Sequence, residues 1–202
     1  QEHKGFIHAA LGWHPWMIKE SDIDRDLGFI EANIDKAVAI GEVGLDYHKK
    51  VRERAGKDLQ KHVFREILKI AGRHDKPVII HSRYAWRDAL DIVLEAQLAR
   101  VVFHWYTGPS SVLRDIISHG YYISATPAVE YHEEHRRAIE EAPLERMLLE
   151  TDSPVVYGYG REFEFESRPV DVLRSLRGAA QLKDLPEAQV AEATTANARK
   201  LF

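Results

Sequence analysis

The feature that most limits what this chain can fold into is an alternation of short apolar segments with helical ones. The segments read as strands are about Phe6 to Leu11, Ala37–Ile40, Pro77–Ile80, Val101–Phe103, Tyr121–Ser124 and Met147–Leu149. They hardly alternate between polar and apolar, as expected where both faces of a sheet are covered. Helical patterns lie between them: about Asp24–Ile34, Asp58–Gly72, Trp86–Gln97 and a segment opening at Pro109-Ser110. The clearest is Asp58–Gly72, where Leu59, Val63, Phe64, Ile67, Leu68 and Ala71 keep the spacing of one buried face. The charged stretch His132–Glu141 reads as a solvated helix face, Tyr157–Arg168 as a loop, and Pro169–Ala180 and Pro186–Phe202 as closing helices. Strand followed by helix, repeated, means a parallel sheet with right-handed crossovers, either open and doubly wound or closed as a barrel.

Composition narrows the function classes. The 202 residues suit a single domain spanning 1–202, or two small ones. A net charge of −4 gives no global attraction to nucleic acid, so such a substrate would be held locally or through metal. Cysteine is absent, which excludes disulfides and thiolate ligands and fits a reducing cytosol, so the expected location is cytoplasmic. No run approaches the ~18 consecutive apolar residues of a membrane span. No dinucleotide or P-loop fingerprint occurs. The sequence opens on Gln1 rather than Met and is strand-like by Phe6, from which we expect the latter part of a longer chain.

The chemistry collects at strand ends. Ala37–Ile40 leads through Gly41 to Glu42, then Gly44 and Asp46. Pro15 cannot continue a ladder, so His14 belongs at or past the end of the first strand. His81, His104 and Asp152 follow the third, fourth and sixth strands. In a parallel barrel the C-terminal strand ends converge on one face. Imidazoles and carboxylates gathered there suit Zn²⁺, Mn²⁺ or a related divalent ion. Any one of these residues alone would be an ordinary hydrogen-bonded side chain; the set of four expected ligands, Glu42, His81, His104 and Asp152, points to metal.

Five segments also carry a resemblance: Gly12-Trp13-His14-Pro15, Ile40–Tyr47, Ile80–Arg83, Phe103–Gly108 and Leu149–Pro154. In order and spacing they resemble the TatD family of metal-dependent deoxyribonucleases, and Thr194–Phe202 is similar to that family's C-terminal helix. The resemblance implies a TIM-barrel hydrolase of the amidohydrolase type that cleaves DNA phosphodiesters with Mg, Mn or Zn. It implies that Glu42 bridges two ions and that His81 and His104 hold one of them. Asp152 would bind the other and take a proton from the attacking water, so Glu42 and Asp152 are the expected catalytic residues. His14 and Arg83 would face the substrate phosphate, although a salt bridge at a helix start accounts for Arg83 equally well.

The sequence departs from the family in one place. The family's opening His-x-His pair is missing; the early histidines are His3 and His8. Six strand–helix units are present where a closed barrel needs eight. The expected fold is therefore α/β, TIM-barrel type, lacking the first two units. Two ions are expected for the family, falling to one if the missing pair leaves the second site incomplete, and the open sheet edges would need a homo-oligomer or an N-terminal segment to cover them. DNA is the expected substrate. The alternatives are another amidohydrolase activity, such as a lactonase or small phosphoesterase, and a non-catalytic remnant that binds a partner. Trp13, Trp16, Trp105 and Tyr106 could stack on bases, but packing of the barrel mouth is the favoured reading.

Overall fold

A computed structural model describes residues 5–202, so His3 lies outside the described residues. Six strands form one sheet in chain order: β1 (Ala10–Leu11), β2 (Ala39–Asp46), β3 (Val78–Arg83), β4 (Val101–Phe103), β5 (Tyr122–Ala125) and β6 (Met147–Leu149). The fold is α/β, as the alternation requires, and among the described residues the row of six does not close into a ring. The chain divides into two compact units, the first ending at Val102 and the second running from Phe103 to Leu201.

In the first unit β1 pairs parallel with β2, and β2 with β3. Helices α1 (Ile23–Asn33), α2 (Lys49–Arg52), α3 (Lys57–Arg73) and α4 (Trp86–Glu95) belong to it. Val63, Phe64, Ile67, Leu68 and Ala71 of α3 are buried as the periodicity predicts, together with Ile40, Val43 and Leu45 of β2 and Val78 and Ile80 of β3. Burying each of the larger side chains stabilises the unit by about 1.5–3 kcal/mol. Gln60, also on α3, is buried for another reason. Its Oε1 accepts from the Asp46 backbone N–H at 2.8 Å, and its Nε2 donates to the carbonyls of Asp46 and Ala55. The end of β2 is thus pinned to α3.

The second unit carries β5 paired parallel with β6, and helices α5 (Ser110–Ser118), α6 (Glu133–Glu141), α7 (Val172–Lys183) and α8 (Glu187–Leu201). Asn197 of α8 donates to the carbonyls of Leu144 and Met147, and Ser175 of α7 donates to that of Glu150. The two closing helices therefore hold β6 at both ends.

Four expectations change. The first strand is two residues long, because only Ala10 and Leu11 meet partners on β2; Phe6 and Ile7 are exposed. β2 continues past the apolar run to Asp46, which places Glu42 inside the strand rather than at its end. α6 is not wholly solvated: His135, Ala138 and Ile139 are buried. The segment read as a loop contains a short antiparallel hairpin, β7 (Val156–Tyr157) and β8 (Phe165–Glu166).

Candidate metal centre

Glu42 sits where the register of β2 against β3 shifts, between Ile40 and Val43. Such an irregularity re-aims a side chain that regular pleating would send to the other face. The peptide bond Gly41–Glu42 is cis. The neighbouring glycines allow the close backbone approach. A Cβ on Gly41 would lie 2.6 Å from the Ile79 Cβ, and one on Gly44, whose φ is +142°, would collide with the His81 carbonyl oxygen.

This strand brings together three of the residues singled out above. Ligand atoms of His14, Glu42 and His81 all lie within 4.8 Å of one another. Their tautomers separate their roles. His81 Nε2 stands 3.2 Å from Asp46 Oδ2, so the neutral ring carries its proton there and presents a lone pair at Nδ1, 4.0 Å from Glu42 Oε2. A lone pair opposite a carboxylate at that distance suits two ligands of one cation, each about 2.0–2.2 Å from it. His14 differs. Its Nδ1 accepts the Trp16 backbone N–H at 3.2 Å, so the neutral ring carries its proton on Nε2, which lies 3.8 Å from Glu42 Oε2. In this arrangement His14 is a hydrogen-bond donor beside the ligands.

Asp46 organises the unit's cluster. It is fully buried and accepts from Trp16 Nε1, the His48 backbone N–H, His81 and Arg83, whose Nε and Nη2 lie 3.1 Å and 2.9 Å away. Burial opposes its ionisation, but these donors outweigh it and hold the carboxyl well below the usual carboxylate range. Arg83 therefore makes the salt bridge weighed above, and its guanidinium also lies over the Trp16 ring at 5.3 Å. Trp16 is 46% exposed yet held by Asp46, whereas Trp13 and Tyr106 are core residues.

In the second unit a carboxylate also backs a histidine. His104 is buried, and its Nδ1 lies 3.6 Å from Glu150 Oε1. The same oxygen accepts from Ser124 Oγ and from the Trp105 backbone N–H at 3.0 Å. Burial works against ionisation of Glu150, and the neighbouring His104 together with these hydrogen bonds overcomes it, lowering its pKa. The ligand atoms of His104 and Asp152 lie within 4.8 Å of each other. Trp105 and Asp152 both have left-handed backbone, with φ of +40° and +49°. Strain of this kind gathers where a chain is held for function. Tyr84, directly after Arg83, shares it at +57°.

Sequence reasoning passed over Asp46, Gln60, Ser124 and Glu150 as functional residues. The signal for Asp46 and Glu150 was their place within two strand-end motifs; Gln60 and Ser124, on α3 and β5, gave none. The donor set fits a divalent metal: hard oxygens, borderline imidazole nitrogens, and a carboxylate beside each imidazole, hydrogen-bonded to His81 and 3.6 Å from His104.

A six-stranded parallel sheet carrying these imidazole and carboxylate clusters is the arrangement of a family of metal-dependent hydrolases, to which sequence comparison assigns the chain. The family model described as "TatD related DNase" matches residues 1–202, and the chain belongs to that family. It is 34% identical to the uncharacterized metal-dependent hydrolase YabD of Bacillus subtilis, over all of this chain and 79% of the relative. It is 32% identical to the deoxyribonuclease TATDN3 of Homo sapiens, over all of this chain and 76% of that protein. The crystal structure of YjjV, a TatD homologue from Escherichia coli, matches with a TM-score of 0.86 and 28% identity, covering all of this chain and 78% of that one.

Proposed function

We propose that this protein hydrolyses phosphodiester bonds in DNA with the help of a divalent metal. The observation that carries this reading is the carboxylate behind each imidazole, Asp46 behind His81 and Glu150 behind His104. Outer carboxylates of this kind fix ring orientation and raise ligand basicity. In this reading Glu42 and His81 of the first unit and His104 and Asp152 of the second would be the metal ligands. When bound, the metal supplies Lewis-acid polarisation and a water acidic enough to ionise near neutral pH. Asp152 takes the proton of the attacking water. His14 donates from Nε2 to a phosphate oxygen, and Arg83, braced by Asp46, offers its remaining N–H groups. A chain of net charge −4 holds DNA through these local groups and the metal. The name of the human relative as a deoxyribonuclease supports the substrate class. A cytoplasmic location is part of this proposal; the absence of cysteine in the 202 residues is compatible with it. No helix among the described residues is long and apolar enough to cross a membrane.

The test compares a single-stranded oligonucleotide with a small lactone and an aryl phosphodiester, each with Mn²⁺, Zn²⁺ or Mg²⁺ and with chelator. Metal-dependent shortening of the oligonucleotide, abolished in Glu42→Ala and Asp152→Ala, is expected. Turnover of the lactone alone, with DNA left intact, would move the chain to another hydrolase chemistry on the same scaffold.

A further inference from the structure

α6 contributes no residue to the site described above, yet its buried His135 reaches the segments that carry the site, and the two arginines after it bind nearby backbone. Arg136 donates to the Val129 carbonyl at 2.8 Å, and Arg137 to that of Gly108 at 2.5 Å. His135 immediately precedes them in sequence. It is fully buried and uses both ring nitrogens: Nδ1 lies 3.0 Å from the Tyr106 carbonyl oxygen, and Nε2 accepts the Thr126 backbone N–H at 3.1 Å. The partners dictate the tautomer, since a carbonyl only accepts and an amide only donates. The ring must be neutral, with its proton on Nδ1.

Tyr106 is two residues past His104 and one past Trp105, whose backbone is left-handed and whose N–H reaches Glu150. Thr126 directly follows β5, which carries Ser124, the other donor to Glu150. Both strand-end segments that bind Glu150 are therefore tied to one imidazole. We propose that His135 is a positioning residue, holding the loop after β4 through its bond to the Tyr106 carbonyl and so fixing His104 and the Trp105 amide against Glu150. A left-handed, non-glycine turn relaxes unless its surroundings hold it, and the His135–Tyr106 bond holds the residue next to that turn. Between the two bonds, the one to Tyr106 does the positioning; the one to Thr126 anchors the ring.

The test separates these bonds. His135→Asn keeps a donor near the Nδ1 position for Tyr106, and His135→Gln keeps an acceptor near the Nε2 position for Thr126. Both lose one buried hydrogen bond, so a purely structural role lowers stability similarly in the two. The first readout needs no metal: amide hydrogen exchange of Trp105, with the His135 ring nitrogens followed by ¹⁵N NMR. Expected are the Nδ1–H tautomer in the wild type, Trp105 protection within about threefold of wild type in His135→Asn, and about tenfold lower in His135→Gln. The second readout is Zn²⁺ or Mn²⁺ affinity, expected to fall about tenfold in His135→Gln only; this readout alone rests on the metal reading. Equal Trp105 protection in all three proteins, equal loss in both variants, or an Nε2–H tautomer would overturn positioning through the Tyr106 bond. A wild type that takes up no metal contradicts the metal reading instead, and the exchange data still decide the role of His135.

Discussion

Asp46 Oδ2 lies 3.2 Å from His81 Nε2, and this one contact decides which face of the ring is offered to Glu42. With the proton held on Nε2, Nδ1 meets Glu42 Oε2 at 4.0 Å as a lone pair. A residue behind the site thus sets the chemistry in front of it.

Asp46→Asn removes that hold while keeping the volume. We expect metal affinity to fall about 10–100-fold and stability by about 1–3 kcal/mol. Metal titration beside a urea melt separates the two effects. Because the Asp46 pKa is depressed on folding, its contribution is full above the ordinary carboxylate pKa and disappears as pH falls towards its folded value. The variant should lose that part of the acid sensitivity. Affinity unchanged from wild type would remove Asp46 from the site.

Glu150→Gln tests the second carboxylate. The amide still accepts from the Trp105 N–H but no longer carries the charge that faces His104. Metal affinity should fall by a similar factor, with little change in the near-UV spectrum of Trp105. A collapsed spectrum with normal affinity would mean that Glu150 serves packing alone.

Gly44→Ala puts a methyl into the His81 carbonyl at a φ that side chains rarely adopt. The loss should exceed about 3 kcal/mol, since the clash is with backbone rather than a flexible side chain. Gly28→Ala serves as the control, because a Cβ there meets nothing within 4 Å. Similar urea midpoints for the two variants would contradict the tight β2–β3 approach.

His135 predicts a pH dependence. Burial lowers its pKa from 6.5 to about 4, so the unfolded chain binds its proton first as pH falls. Stability is then full above about pH 6.5 and declines down to about pH 4, by roughly 3 kcal/mol from this group. The slope of unfolding free energy against pH in that window should be shallower in His135→Asn. Parallel slopes would mean that His135 is already protonated or exposed.

Much of this was legible in the sequence. The succession of strands and helices and the α3 face follow from periodicity, and the candidates His14, Glu42, His81, His104 and Asp152 from strand-end motifs; the order of strands in the sheet came only with the family resemblance. What escaped depended on tertiary contact. Phe6 and Ile7 read as strand, but pairing needs a partner strand and only Ala10 and Leu11 have one. α6 is so charged that its buried histidine looked like one more solvated residue. Gln60 and Ser124 lie on a helix and a strand with no local mark of the backbone groups and carboxylate they bind. The motif left Arg83 between a substrate phosphate and a salt bridge; Asp46 supplies the salt bridge, and the phosphate role stays a proposal.

Equilibrium dialysis of the purified chain against Zn²⁺ and Mn²⁺, with Glu42→Gln beside the wild type, tests the central claim most directly. The account predicts at least about one ion per wild-type chain, with affinity at least about tenfold weaker in the variant. A wild type that takes up neither metal, or a variant that binds as well as wild type, would contradict it.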